Sequence, residues 1–212
     1  MRAELVIVRH CQSTWNLEGR CQGDIVEPEL TPLGRRQAMR SARKLRKFQF
    51  DHIYTSDQLR SYETGRIIAA SMGKRTVLTD SRLREMFQGE WQGMLYKDIK
   101  ARYAQRYTDF QTDPLKADPP GGETIRDLAQ RVSDALNDIS ERHPGERVLI
   151  VSHEIPIATM RCLVMGRPLS DVFAYGPANG EWMQLPWPPV HPAAAFAARQ
   201  NVRVYKLSLS PS

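Results

Sequence analysis

Arg9-His10, Arg60 and Ser152-His153 stand just beyond short apolar runs and at the openings of segments with helical spacing. The first pair follows Leu5-Val6-Ile7-Val8, a run of four apolar residues, three of them β-branched, that reads as a buried strand. In open α/β sheets, ligands bind beyond the carboxyl ends of the strands. Helix N-termini attract anions through free N–H groups and the helix dipole, and arginine adds paired donors for phosphate oxygens. Any one of these residues alone is more often structural than functional. Repetition at three corresponding junctions points to one phosphate site.

The elements that must position these residues follow from apolar spacing. Thr31 and Pro32 suit the start of a helix running to about Lys47, with Ala38, Ala42 and Leu45 on its inner side. His52 to Thr55 reads as a strand. Ser56 or Asp57 is expected to cap the next helix, with Leu59, Tyr62, Ile67 and Ala70 spaced for burial and Gly73 as its stop. Arg75 to Leu78 is a third expected strand. Glu85 to Gly93 reads as a loop, Tyr96 to Phe110 as an aromatic, basic helix, and Asp118 to Gly122 as its break. A long helix is expected over Glu123 to His143, with Ile125, Leu128, Val132, Leu136 and Ile139 in one stripe. Arg147 to Val151 is the clearest buried strand. Glu181 to Leu185 and Val202 to Leu207 read as closing strands, separated by a Pro/Ala-rich insertion over 186–200. Alternating strands and helices predict a three-layer α/β/α sandwich around a mainly parallel sheet.

Composition narrows the classes further. A chain of 212 residues with 41% hydrophobic and 25% charged residues can bury one core without staples. We expect one domain over 1–212. No apolar run reaches membrane-spanning length, and no signal-peptide pattern opens the sequence, so a cytoplasmic protein is expected. Three cysteines without paired spacing fit a reducing compartment. The net charge of +6 suits an anionic small substrate, and no nucleic-acid motif accompanies it. The run Arg35 to Lys47 reads as a solvated helix face. His52 and His143 read as surface residues.

The ordered motifs resemble the histidine phosphatase superfamily, which includes the cofactor-dependent phosphoglycerate mutases. Arg9-His10-Cys11-Gln12-Ser13-Thr14-Trp15-Asn16 is similar to the family's Arg-His-Gly-x-Thr/Ser-x-x-Asn signature. Leu30 to Gly34 with Gln37-Ala38, Ser56 to Thr64, Leu83 to Gly93, Pro120 to Thr124 and Ser152-His153 resemble its later motifs in order. The resemblance implies a phosphoglycerate mutase-like fold and a phosphohistidine formed on His10. A neutral imidazole is a competent nucleophile near pH 7, and a covalent step divides one hard displacement into two. The resemblance further implies that Arg9, Arg60 and His153 hold the phosphoryl oxygens and that Glu85 exchanges the proton with the leaving group and water. Ser13, Asn16, Gln22, Ser152 and Glu154 are the expected substrate-binding residues. Bare chemistry leaves Glu90 as a rival to Glu85, and the motif alignment favours Glu85. No metal and no cofactor are expected. The expected partner is a small phosphorylated substrate, with no nucleic acid and no membrane; a homodimer is left open.

Two residues depart from the family pattern. Cys11 and Glu154 each follow a proposed catalytic histidine where the family usually has glycine. The thiol adds bulk beside the nucleophile, and Glu154 adds negative charge near an anion site. Other chemistries lack their residues: six positions beyond Cys11, Cys21 and Cys162 stand Leu17, Glu27 and Pro168, not the arginine of a cysteine phosphatase. His153-Glu154-Ile155-Pro156-Ile157 lacks the second histidine of a zinc helix. The stretch between Glu85 and His153 is short for a mutase lid, so a phosphomonoesterase is expected, with 94–122 as its lid. Mutase-type transfer and a catalytically weak phosphate-binding protein are the alternatives.

Overall fold

The computed structural model describes residues 2–189. The chain runs β1 (Glu4–Arg9), α1 (Thr14–Glu18), α2 (Pro32–Leu45), β2 (His52–Thr55), α3 (Leu59–Ser71) and β3 (Leu78–Thr79). It continues through α4 (Tyr96–Arg102), α5 (Ala104–Thr112), α6 (Ile125–Arg142), β4 (Arg147–Ser152), α7 (Glu154–Met165) and β5 (Trp182–Leu185). The sheet order is β3-β2-β4-β1-β5, parallel except for β5, which runs antiparallel to β1. The expected α/β class with a mainly parallel sheet is therefore what forms.

Side-chain alternation builds the layers. Along β1, Leu5 and Ile7 join one apolar cluster with Leu128, Val132 and Leu136 of α6 and Ile157 of α7. Val6 and Val8 point to the other face, where they meet Ala42 and Leu45 of α2 and Ile68 of α3. β4 divides likewise, with Val148 and Ile150 in the first cluster and Leu149 in the second. Burial on both faces explains why these strands read as unbroken apolar runs. Each such side chain contributes about 1.5–3 kcal/mol through area removed from water.

Register brings the three junctions level. Arg9 pairs with Ser152, and Thr55 with Val151, at the carboxyl ends of β1, β4 and β2. The ladder extends one step further, with His10 N–H donating to Ser152 O at 2.9 Å and Ser56 N–H to Val151 O at 3.2 Å. His10, Ser56 and His153 consequently leave the sheet along one edge.

Several expectations are corrected. α1 was hidden because it is short; Ser13 caps it, and Ser13 with Asn16 forms a reciprocal capping box. Gln58, not Ser56 or Asp57, occupies the N-cap position of α3. The buried face of α3 is Arg60, Ser61, Thr64, Gly65, Ile68 and Ala69, while Leu59, Tyr62 and Ile67 are only partly buried and Ala70 is exposed. That helix packs its small and polar residues inward because the sheet edge and the site lie there. The third strand shifts to Leu78–Thr79. The aromatic helix splits at Tyr103. His143 is buried: its Nε2 lies 2.9 Å from the Tyr54 hydroxyl and its Nδ1 3.0 Å from Glu146. His52 is half-buried and pairs with the same Glu146 oxygen at 3.0 Å. Most of the 186–200 insertion and the strand expected at Val202 to Leu207 lie outside the described residues. Among the described residues, no helix is long and apolar enough to cross a membrane.

Candidate active site

His10 is buried at the end of β1. Its Nδ1 donates to the Cys11 carbonyl oxygen at 2.8 Å. A carbonyl only accepts, so the ring proton sits on Nδ1 and Nε2 keeps its lone pair. Burial, with the Arg60 and Arg9 charges nearby, holds the imidazole well below its ordinary pKa and therefore neutral. His153 lies beside it, with ring centroids 5.0 Å apart. Burial, followed by the Arg60 charge, also holds His153 well below its usual range. Ser56 Oγ lies 2.6 Å from His153 Nε2.

Arg60 is fully buried on the first turn of α3. Its Nη1 donates to Ile25 O at 2.8 Å and its Nη2 to Gly23 O at 2.9 Å. Burial brings its pKa down to about 10, which still leaves it charged at neutral pH. Arg9 donates from Nη1 to Pro177 O at 2.6 Å and pairs through Nη2 with Glu154 at 2.6 Å. Three buried nitrogens in this cluster have no partner among the described residues: Arg9 Nε, Arg60 Nε and His153 Nδ1. Buried donors without acceptors are uncommon and costly.

Glu85 completes the cluster. Its Oε1 accepts from Met86 N–H at 2.8 Å and its Oε2 from Glu154 N–H at 3.1 Å. Burial pushes its pKa up to about 7, and the negative charge of Glu154 adds to that rise. Glu90, its rival in sequence, instead accepts from the Tyr103 hydroxyl at 2.8 Å. The arrangement can therefore bind a tetrahedral anion, offer a nucleophilic nitrogen and exchange a proton near neutral pH.

The remaining expected residues divide into those in the cluster and those supporting it. Ser13 Oγ bonds Gln22 Oε1 at 2.7 Å, and both shape the loop after β1. The Asn16 oxygen accepts from Ser13 N–H at 3.1 Å. Ser152 is turned away, its hydroxyl donating to Leu83 O at 2.8 Å. Cys11 also faces away, buried with Leu30 and Ala38, and burial raises its thiol to about 12. Glu154 faces the cluster through Arg9. Glu123 holds Arg131 at 2.6 Å, and the capping oxygen of α6 belongs to Thr124.

Sequence reasoning missed three supporting residues. Asn179 Nδ2 donates to His10 O at 3.0 Å. Gln58 accepts from Glu85 N–H at 2.8 Å and donates to Gly23 O and Ile25 O. Ser56 orients His153. Ser56 and Gln58 lie within a motif already singled out, whereas the turn residue Asn179 carried no signal beyond its place before β5.

Two buried neutral histidines, two arginines and a carboxyl group that titrates near neutrality, set on one edge of an α/β sandwich, define a phosphate-handling class of site. The histidine phosphatase superfamily (branch 1) matches residues 5–196, and the chain belongs to that family. It is 42% identical to phosphoglycerate mutase-like protein 4 of Arabidopsis thaliana, across 71% of this chain and 66% of that protein, just under two thirds of its length. It is 32% identical to phosphoserine phosphatase 1 of Hydrogenobacter thermophilus, across 84% of each. The solved structure of mycobacterial glucosyl-3-phosphoglycerate phosphatase with VO3 is 31% identical, covering 86% of this chain and 90% of that one with a TM-score of 0.78.

Proposed function

We propose that this protein is a metal-independent phosphomonoesterase that hydrolyses a small phosphorylated organic substrate through phosphohistidine. The observation that carries the reading is the tautomer of His10: Nδ1 is tied to the Cys11 carbonyl, so Nε2 is left as the nucleophile. Nε2 attacks phosphorus and the ester P–O bond breaks. Glu85 gives its proton to the departing alkoxide oxygen. The carboxylate then takes a proton from water as that water attacks phosphorus, and the P–N bond breaks to release phosphate. Both partial reactions use one group whose pKa lies near 7, so that acid and base forms are each accessible.

Arg9 Nε, Arg60 Nε and His153 Nδ1 supply donors for the phosphoryl oxygens, with Ser56 donating to His153 Nε2 and leaving the proton on Nδ1. Asn16 adds a neutral contact, and Ser13 and Gln22 hold the loop. The 94–122 segment walls the leaving-group side. Its Tyr103, Tyr107 and Phe110 rings pack on Trp91 with centroids 6.2, 5.8 and 5.7 Å away, which favours a fixed wall. The relatives named as phosphatases support hydrolysis over mutase-type transfer.

The test is hydrolysis of p-nitrophenyl phosphate with a chelator present. Turnover that resists the chelator and is lost in His10→Ala is the expected result, with acid-labile phosphate trapped on the parent protein. Turnover that survives His10→Ala would overturn the covalent route. Phosphate moving between hydroxyls of phosphoglycerate, without release, would favour the mutase.

A further inference from the structure

The expected phosphate site contains a second anion of its own. Glu154 Oε2 sits 2.6 Å from Arg9 Nη2, and the Glu154 N–H reaches Glu85 Oε2 at 3.1 Å. Its carboxylate thus holds an arginine that would bind the phosphoryl group, while its backbone holds the acid that would protonate the leaving oxygen. Oε1 rests against Gly176, where a Cβ would stand 3.2 Å from it. A side chain at that position would make the carboxylate give by a few tenths of an ångström. Oε1 has no hydrogen-bond partner among the described residues, and the side chain is 48% exposed.

Charge counting shows what this does to selectivity. Arg9 and Glu154 cancel. His10 and His153 are held neutral by burial. Glu85 retains its proton below about pH 7. Arg60, which has no ion-pair partner among the described residues, is then the cluster's uncompensated cation facing a phosphomonoester dianion. A further anionic group on the leaving alcohol would sit beside Glu154 without compensation. An ammonium there would restore neutrality and bond the unoccupied Oε1.

We propose that Glu154 forms an ammonium-binding subsite, and that the substrate is a phosphomonoester of an amino alcohol without an additional carboxylate near the ester. This rests on the phosphomonoesterase reading and names the substrate class of the same site. Glu154 acts by contact with the leaving group, and its pairing with Arg9 aims the carboxylate.

The experiment compares three esters of similar length and different charge: 2-aminoethyl phosphate, propyl phosphate and 2-carboxyethyl phosphate. Each kcat/KM is normalised to that for p-nitrophenyl phosphate. In the full-length parent the expected order is amine over neutral over acid, with about tenfold or more between the first and last. In Glu154→Gln the amine-to-propyl ratio should fall to within about twofold of unity, and Glu154→Gly should do the same. A ratio unchanged by both substitutions, or a parent that prefers the carboxyethyl ester, would overturn the subsite while leaving the hydrolase reading intact. No turnover of any ester would instead overturn the hydrolase reading. In that event the subsite is judged by titrating the parent and Glu154→Gln with the same esters. Tighter parent binding of the aminoethyl ester than the carboxyethyl ester, lost on substitution, supports it, and equal binding refutes it.

Discussion

At the residue scale, two histidines share a charge state and differ in what fixes them. His10 is oriented by its own chain, through the Cys11 carbonyl, whereas His153 depends on Ser56 from another strand end. Glu85 is the residue whose chemistry is most sensitive to its surroundings. Phosphohistidine formation needs it protonated, so kcat/KM for alkyl phosphates should fall as pH rises through about 7. Glu85→Gln should lower kcat/KM for alkyl phosphates by about 10²–10⁴-fold. The loss should be smaller for p-nitrophenyl phosphate, whose leaving group needs little protonation. A pH-rate profile of parent and variant checks both statements. The same shift bears on stability. The folded pKa stands above the ordinary 4.5, so the native state holds the proton more tightly. Stability is then full below about pH 4.5 and declines as pH rises to about 7, by on the order of 3 kcal/mol from this group. Chemical denaturation at pH 5 and pH 8 should show a smaller loss in Glu85→Gln than in the parent.

At the element scale, the site depends on how α2 and α3 press against the loop after β1. Gly34 lies in the first turn of α2, and a Cβ there would meet the Gln12 carbonyl oxygen at 2.1 Å. Gly34→Ala must therefore push apart the helix and the loop that carries His10. We expect a loss of about 1–3 kcal/mol in stability, as for other overpacked sites, measured by urea unfolding. Activity should drop by more than the change in folded fraction explains. Arg60 has a comparable double role on α3, since its two Nη groups carry the loop carbonyls of Gly23 and Ile25. Arg60→Lys keeps the charge and loses the fork. It should lower both Tm and kcat, and restoring the folded fraction by cooling should not restore kcat.

At the scale of the whole molecule, the proposed phosphate site would link binding to folding, because the unpartnered donors belong to three different elements. Arg9 ends β1, Arg60 opens α3, and His153 precedes α7. Inorganic phosphate should therefore raise Tm, by the equivalent of about 2.7 kcal/mol at a hundred times its Kd. Thermal scans with phosphate and with chloride at matched ionic strength check this, and Arg60→Lys should show a reduced shift. The opposite end of the sheet has its own tie, where Tyr54, His143, Glu146 and His52 are joined by hydrogen bonds near 3 Å. It secures β2 to the end of α6 and lies apart from the junctions that carry the site.

Much of this was legible in the chain itself. Apolar runs fix which segments are strands buried on both faces, and the stripe from Ile125 to Ile139 fixes the long helix. Arg9, His10 and His153 stand at strand ends and Arg60 in the first turn of the helix after β2, where backbone direction and parallel pairing bring them together. Those features are local, because they follow from side-chain period and chain punctuation. Tertiary structure decided what depends on partners far away in sequence. Glu85 titrates near neutrality because the fold dries it, Cys11 turns into an apolar cluster, and Glu154 turns onto Arg9 across 145 positions. Arg60 lies on the buried face of α3, whereas apolar spacing turned Leu59 and Tyr62 inward instead. Burial, charge pairing and side-chain direction are set by what packs against a residue, and the sequence near that residue does not contain its distant neighbours.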